Sequence, residues 1–147
     1  MYNLNDFITN SEFDKLYEKA MVGYNNAYAP YSNFRVGASL LCNDGVIFYG
    51  CNVENSSYGL SNCAERTTLF KAISEGYHKK EFKALLIVGD TVDAISPCGA
   101  CRQVMEELLG LETLVILTNL NKKVRLFKVK DLLPYSFGGD NLNEQKL

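Results

Sequence analysis

From Ser11 to Asn26 apolar residues return every three or four positions, with Phe13, Leu16, Tyr17, Ala20, Met21 and Tyr24 on one stripe. This predicts an amphipathic helix, capped by Ser11, whose apolar side lies on a sheet. The pattern then changes. Arg35–Cys42 and Val46–Cys51 read as strands, and Asn43-Asp44-Gly45 between them is a hairpin signal. Helical spacing resumes over Cys63–Glu75, with Leu69, Phe70, Ile73 and Tyr77 on the apolar side and Gly76 as the stop. It resumes again over Cys98–Leu109, with Val104, Met105 and Leu108 inward and Gly110 as the stop. Ala84–Val88 and Leu114–Leu117 are short continuous apolar runs, as in strands covered on both faces. Val124–Val129 alternates like an edge strand, Val129–Leu133 reads as a helical turn stopped by Pro134, and the polar tail Asn141–Leu147 is expected to fray.

The sum predicts an α/β fold: a three-layer α/β/α sandwich around a mixed sheet of about five strands, with residues 1–147 forming a single domain. The hairpin strands pair antiparallel, and the later strand–helix–strand units favour parallel pairing. The second and third helices then both begin at one end of the sheet, where ligand sites of α/β proteins lie.

Composition narrows the function classes. The chain has 147 residues and a formal net charge of −2, with no basic stripe to follow a phosphate backbone, so a long nucleic acid is not expected as partner. No apolar run reaches membrane-spanning length, and Met1–Asp6 lacks the basic and apolar regions of a signal peptide. The five cysteines are an odd number, which fits a reducing cytoplasm, where cysteines more often bind metal or act in catalysis than form disulfides.

The candidate chemistry lies at the two later helix starts, Cys63-Ala64-Glu65-Arg66 and Ser96-Pro97-Cys98-Gly99-Ala100-Cys101-Arg102. Asn62 is a candidate cap for the first, and Ser96 followed by Pro97 for the second. Cys98 and Cys101, three apart, share one face of a helical turn. If the two helix N-termini converge, Cys63, Cys98 and Cys101 present three sulfurs to one zinc ion and leave the fourth position open, the pattern of catalytic zinc. Glu65 then stands beside that position as a proton carrier rather than a ligand. Arg66 and Arg102 are placed to hydrogen-bond the thiolates and offset their charge, together with the helix dipoles. The competing reading is a structural zinc with Cys42, Cys51 or His78 as fourth ligand; one close couple and one distant single cysteine argue against it. Cys42 and Cys51 suit small core positions on strands, and His78, in a charged turn, suits solvent.

Two loops complete the candidate set. Tyr28–Phe34 is aromatic and broken by Pro30. Sequence physics favours a hydrophobic plug on the core; the alternative is that Phe34 stacks on a planar ligand. In Asn52–Gly59, Asn52 and Glu54 alternate and can face the same side of an extended chain, where they suit sugar hydroxyls; a solvated loop is the plain alternative.

Cys63-Ala64-Glu65 followed by Pro97-Cys98-Gly99-Ala100-Cys101 resembles the zinc nucleobase-deaminase signature in its all-cysteine form, that of the small homotetrameric cytidine deaminases. The likeness extends over Tyr28–Ala38, Asn52–Asn55, Cys63–Thr67 and Leu132–Pro134 with Phe137, nearly the whole chain. It implies one Zn²⁺ per subunit on Cys63, Cys98 and Cys101, Glu65 as catalytic proton shuttle, and Arg66 on the thiolates. It implies a substrate site of Phe34 at the pyrimidine, Asn52, Val53 and Glu54 at the ribose, chiefly its 3′-hydroxyl, and the backbone of Ala64 at the base. Tyr58 and Phe137 would reach the pocket from neighbouring subunits of a homotetramer. The implied reaction is hydrolytic deamination of free cytidine and 2′-deoxycytidine in cytoplasmic pyrimidine salvage. The alternatives are a deaminase of the same scaffold acting on a cytosine nucleoside antibiotic or on RNA or DNA cytosine, and a non-enzymatic zinc protein.

Overall fold

The first helix, α1 (Asn10–Asn26), is started by a reciprocal cap: the Thr9 hydroxyl accepts the Glu12 N–H at 3.0 Å and the Glu12 carboxylate accepts the Thr9 N–H at 2.9 Å. The cap is therefore Thr9, not Ser11, because it is Thr9 that has a glutamate three residues on. The structure, a computed structural model, describes residues 1–144. After α1 come the hairpin β1 (Val36–Cys42) and β2 (Ile47–Cys51), then α2 (Ala64–Ser74), β3 (Phe82–Gly89), α3 (Gly99–Leu108), β4 (Leu114–Asn119) and β5 (Val124–Lys128). A short helix α4 (Val129–Leu132) and a final helix α5 (Gly139–Glu144) follow.

The five strands form one mixed sheet in the order β2-β1-β3-β4-β5. The hairpin pair is antiparallel and β3 pairs with β4 in parallel, both as expected. The β1–β3 and β4–β5 pairs are antiparallel. The strands joined by α2 still run the same way, but β1 lies between them, because both β2 and β3 are antiparallel to it.

Strand alternation sends side chains to two separate cores. On one face Leu16, Tyr17 and Ala20 of α1 meet Leu41, Leu86, Val88 and Ile116. On the other, Leu69 and Ala72 of α2 and Met105 of α3 meet Leu40, Leu85, Ile87 and Val115. Within α2, Phe70 points outward rather than into the core and is 46% exposed. The expected frayed tail is helical over Asn141–Glu144, held by an Asn141 side chain that accepts the Gly138 N–H at 2.9 Å; positions 145–147 of that expectation lie outside the described residues. Among the described residues no helix is long and apolar enough to cross a membrane.

Glycine sets how closely α1 lies on the sheet. A Cβ at Gly37 would fall 2.0 Å from the Ala20 carbonyl oxygen and 2.5 Å from the Tyr24 nitrogen, both backbone atoms of α1. Gly37→Ala must push the helix off the sheet, and we expect a stability loss of about 3 kcal/mol, the upper end of the range for overpacking. Gly139→Ala, where a Cβ meets nothing within 4 Å, is the control, with a change inside about 0.5 kcal/mol. Urea unfolding of the two variants checks this; equal midpoints would mean that the α1–sheet spacing is not set by Gly37.

The sheet topology also decides where the loops meet. Val36 pairs with Gly89, Gly37 with Cys51, and Gly89 with Asn119. The start of β1 and the ends of β2, β3 and β4 thus share one edge of the sheet. The loop before β1, the loop into α2 and the loop into α3 converge there.

Candidate metal centre

Cys63 is itself the N-cap of α2 and Cys98 the N-cap of α3, both in extended backbone conformation (φ −79°, ψ 156° and φ −69°, ψ 165°). Neither expected cap is used. Asn62 Nδ2 instead donates to Thr67 Oγ1 at 3.3 Å, and Ser96 Oγ accepts from Arg102 Nη2 at 2.8 Å. The cap positions leave both sulfurs free of backbone bonds and aimed across the gap between the helix ends. Cys101, one turn into α3, is fully buried beneath them.

The three sulfurs all lie within 4.8 Å of one another, with Cys63 Sγ and Cys98 Sγ 3.9 Å apart. A tetrahedral zinc with Zn–S bonds of about 2.3 Å needs sulfur–sulfur edges of about 3.8 Å, so the cluster fits that ion. The second arginine nitrogen of Arg66, Nη2, donates to Cys63 Sγ at 3.2 Å. Arg66 Nε is buried without a partner in the same place, an orphaned donor beside a set of sulfurs that carry negative charge once they ligate a metal. Among the described residues no further His, Cys, Asp or Glu joins the three cysteines. Cys42 is buried on β1, Cys51 is half-buried on β2, and His78 is exposed, as expected for residues outside the cluster.

Arg102 does not reach a sulfur. Its Nε donates to the Pro97 carbonyl at 2.9 Å, Nη1 to the Leu132 carbonyl at 2.9 Å, and Nη2 to Ser96 Oγ. The fork is consumed in tying the approach to α3 to the end of α4. Arg66 alone neighbours the thiolates because it sits three residues after Cys63, on the same face of its helix.

Hydrogen bonding within the cluster polarises it before any metal is considered. The Cys101 thiol, and then Arg66, hold Cys63 well below the ordinary thiol range, against the cost of burial. The same bond to Cys63, with burial, pushes Cys101 up. Glu65 is only 5% exposed, and burial raises its pKa from the usual carboxylate value, with the Cys63 thiolate adding to the rise. A carboxyl that holds its proton more readily than usual, beside the three-sulfur cluster, suits proton transfer in both directions.

The cluster lies in a cavity of about 480 Å³. Cys63, Ala64, Glu65, Arg66, Ile95, Ser96 and Cys98 line one part of it; Ser32, Phe34, Val36, Asn52, Glu54, Tyr58, Ser61 and Asn62 line the rest. The volume is that of a small-molecule site. Phe34 is therefore not a plug: Tyr28, Tyr31 and Phe34 are 55%, 52% and 41% exposed, and Phe34 forms part of the cavity wall. Asn52 and Glu54 do face the same space. Val53 between them does not line it; this residue bridges Tyr28 and Asn62 through its backbone. Tyr58 is at the rim, 81% exposed. Phe137 lies elsewhere, 58% exposed, on a segment fastened by Gln103 Nε2 donating to its carbonyl at 2.8 Å.

Sequence reasoning assigned no role to Ser32. The structure places it at the centre of the loop. Its hydroxyl donates to Glu54 Oε2 and accepts the Phe34 N–H at 3.0 Å. The signal was a polar residue two before the candidate aromatic, which carries no meaning until the turn at Asn33 (φ +57°) brings the two together.

Residues 10–118 match the family model described as the cytidine and deoxycytidylate deaminase zinc-binding region. Two similar relatives are the cytidine deaminases of Sporosarcina psychrophila, 47% identical over 132 residues (90% of this chain, 96% of the relative), and of Halalkalibacterium halodurans, 48% identical over 129 residues (88% and 96%). A crystal structure of cytidine deaminase from Burkholderia pseudomallei superposes with a TM-score of 0.83 at 54% identity, over 88% of this chain and 100% of that one.

Proposed function

This chain belongs to the zinc-binding family of cytidine and deoxycytidylate deaminases, and we propose that it is a cytidine deaminase, converting free cytidine and 2′-deoxycytidine to uridine and 2′-deoxyuridine with release of ammonia. The observation that carries this reading is the convergence of Cys63, Cys98 and Cys101 beside buried Glu65, in a cavity that also holds Phe34, Asn52 and Glu54.

Cys63, Cys98 and Cys101 hold one zinc per subunit. Bound there, zinc supplies Lewis acidity that makes a nucleophile of water at neutral pH. The chain's own residues do the rest. Glu65 takes the proton from the water and passes it to N3 of the ring as the oxygen adds at C4. It then takes the proton from the new C4 hydroxyl and carries it to the departing 4-amino group, so that the C4–N bond breaks with its electron pair, the C4 carbonyl forms and ammonia leaves. A single carboxyl can serve both transfers because burial keeps its proton affinity high. Arg66 donates to Cys63, which tempers the charge of the thiolates and leaves the metal acidic.

Phe34 stacks on the pyrimidine, and the Ala64 backbone meets the base. Asn52 and Glu54, with Val53 between them, take the sugar. Hydrogen-bond capacity supports this assignment. Asn52 Oδ1 already accepts the Val36 N–H at 2.9 Å and Nδ2 donates to the Phe34 carbonyl at 2.8 Å, which leaves one N–H and one lone pair. Glu54 Oε1 accepts the Tyr31 and Ser32 N–H groups at 3.0 and 3.1 Å, so the free acceptor capacity is on Oε2. One hydroxyl that both donates and accepts fits between the two residues.

The cavity opens at Tyr58, while Phe137 stands outside it on exposed surface. We propose a homotetramer in which Tyr58 and Phe137 complete neighbouring subunits' pockets; what supports it is that both rings are exposed and free for a subunit contact. Free cysteines support a reducing, cytoplasmic setting, and deamination of free nucleosides is consistent with a role in pyrimidine salvage.

The test is loss of cytidine absorbance with stoichiometric ammonia by protein that carries zinc. Zinc-loaded protein that leaves cytidine and 2′-deoxycytidine intact would overturn the reading.

A further inference from the structure

We infer that Ser32 is the positioning residue that orients the sugar-reading carboxylate of Glu54, with the Phe34 backbone N–H as its anchor. This rests on the proposed role of Glu54 at a sugar hydroxyl.

The side chain occupies a branch point. Its hydroxyl proton goes to Glu54 Oε2, and its oxygen accepts the Phe34 N–H at 3.0 Å. A hydroxyl has one proton and two lone pairs, so it can accept the Phe34 N–H and donate to Glu54 at the same time. The backbone is shaped for the double contact. Asn33 is in the left-handed region (φ +57°) and its N–H donates to the Ala29 carbonyl at 3.0 Å, which folds the chain so that Ser32 and Phe34 face each other. An asparagine tolerates that conformation better than most residues with a side chain.

The consequence for Glu54 is orientation. Both N–H donors, from Tyr31 and Ser32, fall on Oε1, which fills its acceptor capacity and leaves the carboxylate able to pivot about that oxygen. The Ser32 hydroxyl is the contact that pins Oε2 and so decides where its remaining lone pair points. The same contact is the largest of the causes that hold the Glu54 carboxyl below its usual range, with the backbone N–H groups of Ser32 and Tyr31 adding to it. Asn52 complements this from the other side, bonding the Phe34 carbonyl and the Val36 N–H. The loop that carries the ring is thus gripped by both sugar-facing residues, and Ser32 is its link to the charged one.

A structural role for Ser32 would weaken all substrates alike; a role through Glu54 weakens those with the hydroxyl that Glu54 reads. The experiment compares cytidine with 2′,3′-dideoxycytidine, which lacks both sugar-ring hydroxyls, in zinc-loaded protein. For Ser32→Ala we expect kcat/KM on cytidine to fall about tenfold, chiefly through KM, the size of a lost hydrogen bond to a charged group. On the dideoxynucleoside it should fall by no more than about twofold, within the ordinary effect of an exposed substitution. Ser32→Thr, which keeps the hydroxyl, should restore the cytidine rate to within about threefold. Equal losses on both substrates, or no loss on cytidine, would overturn the inference. Glu54→Ala separates it from the reading beneath it. If Glu54→Ala collapses the preference for cytidine and Ser32→Ala does not, the Ser32 role falls alone. If Glu54→Ala itself leaves the preference intact, the sugar assignment falls and takes Ser32 with it.

Discussion

Glu65→Ala keeps its zinc and loses nearly all turnover, a fall in kcat of about 10²–10⁴-fold, the range for a positioned general acid–base group. The sulfurs of Cys63, Cys98 and Cys101 are grouped without Glu65, so metal retention is independent of it. The carboxyl is 5% exposed at the cavity floor, and no other carboxylate among the described cavity-lining residues is near the cluster; Glu54 is committed to the loop. Glu65→Gln is the companion variant, since it fills the same space without a transferable proton and removes a buried, costly carboxyl. We expect it to be as inactive as Ala and at least as stable. Metal content by elemental analysis and turnover by loss of cytidine absorbance check both. A zinc-replete variant with near-normal rate would remove Glu65 from its role.

Cys98→Ala fails for the opposite reason. Here we expect zinc to leave and activity to fall below about one-thousandth of the unmodified chain, because two thiolates do not hold the ion in a tetrahedral site. Cys98 is exposed at the N-cap of α3, outside both cores, so the fold should survive the change. Cys51→Ala serves as control: it removes a half-buried thiol of β2 that is not among the clustered sulfurs, and should keep full metal and near-normal turnover. Chelation of the unmodified protein should reproduce the Cys98→Ala phenotype and be reversed by added zinc. A Cys98→Ala protein that retains stoichiometric metal would mean that another donor completes the site.

The two variants also separate the two parts of the site that the chain order keeps apart. Cys63-Ala64-Glu65-Arg66 was legible as a unit because helical spacing alone puts Arg66 one turn from Cys63. Arg102 closes its motif as Arg66 does and was expected at the sulfurs too. It turns instead to Pro97, Ser96 and Leu132, because the end of α4 comes to rest against the start of α3 and offers it a buried carbonyl. That contact joins residues thirty apart and has no local trace. The helix caps misled for a related reason. Ser96 and Asn62 are good capping types, but the metal cluster needs the cap positions themselves for Cys98 and Cys63, so each helix begins later than its best local signal.

The loop before β1 shows the limit most clearly. Tyr28, Tyr31 and Phe34 are apolar in sequence, and burial in the core is their default. The sheet offers them no place: both its faces are already filled by α1 and by α2 with α3. They stay at the surface, and Phe34 is left to face the cavity. Asn52 and Glu54 were found by strand alternation, but not their grip on that loop, which depends on β1 and β2 being neighbours.

By itself the sequence determined the element order as far as α4, the alternation that makes a two-sided sheet, and the residue types that can hold zinc and move a proton, since these depend on spacings of two to four residues. Only the tertiary structure decided that Cys63 meets Cys98, that β1 lies between the strands joined by α2, and that Ser32 ties Glu54 to Phe34. Those contacts bring together groups from separate loops, and which loops meet is set by how the start of β1 and the ends of β2, β3 and β4 share one end of the sheet rather than by any local preference.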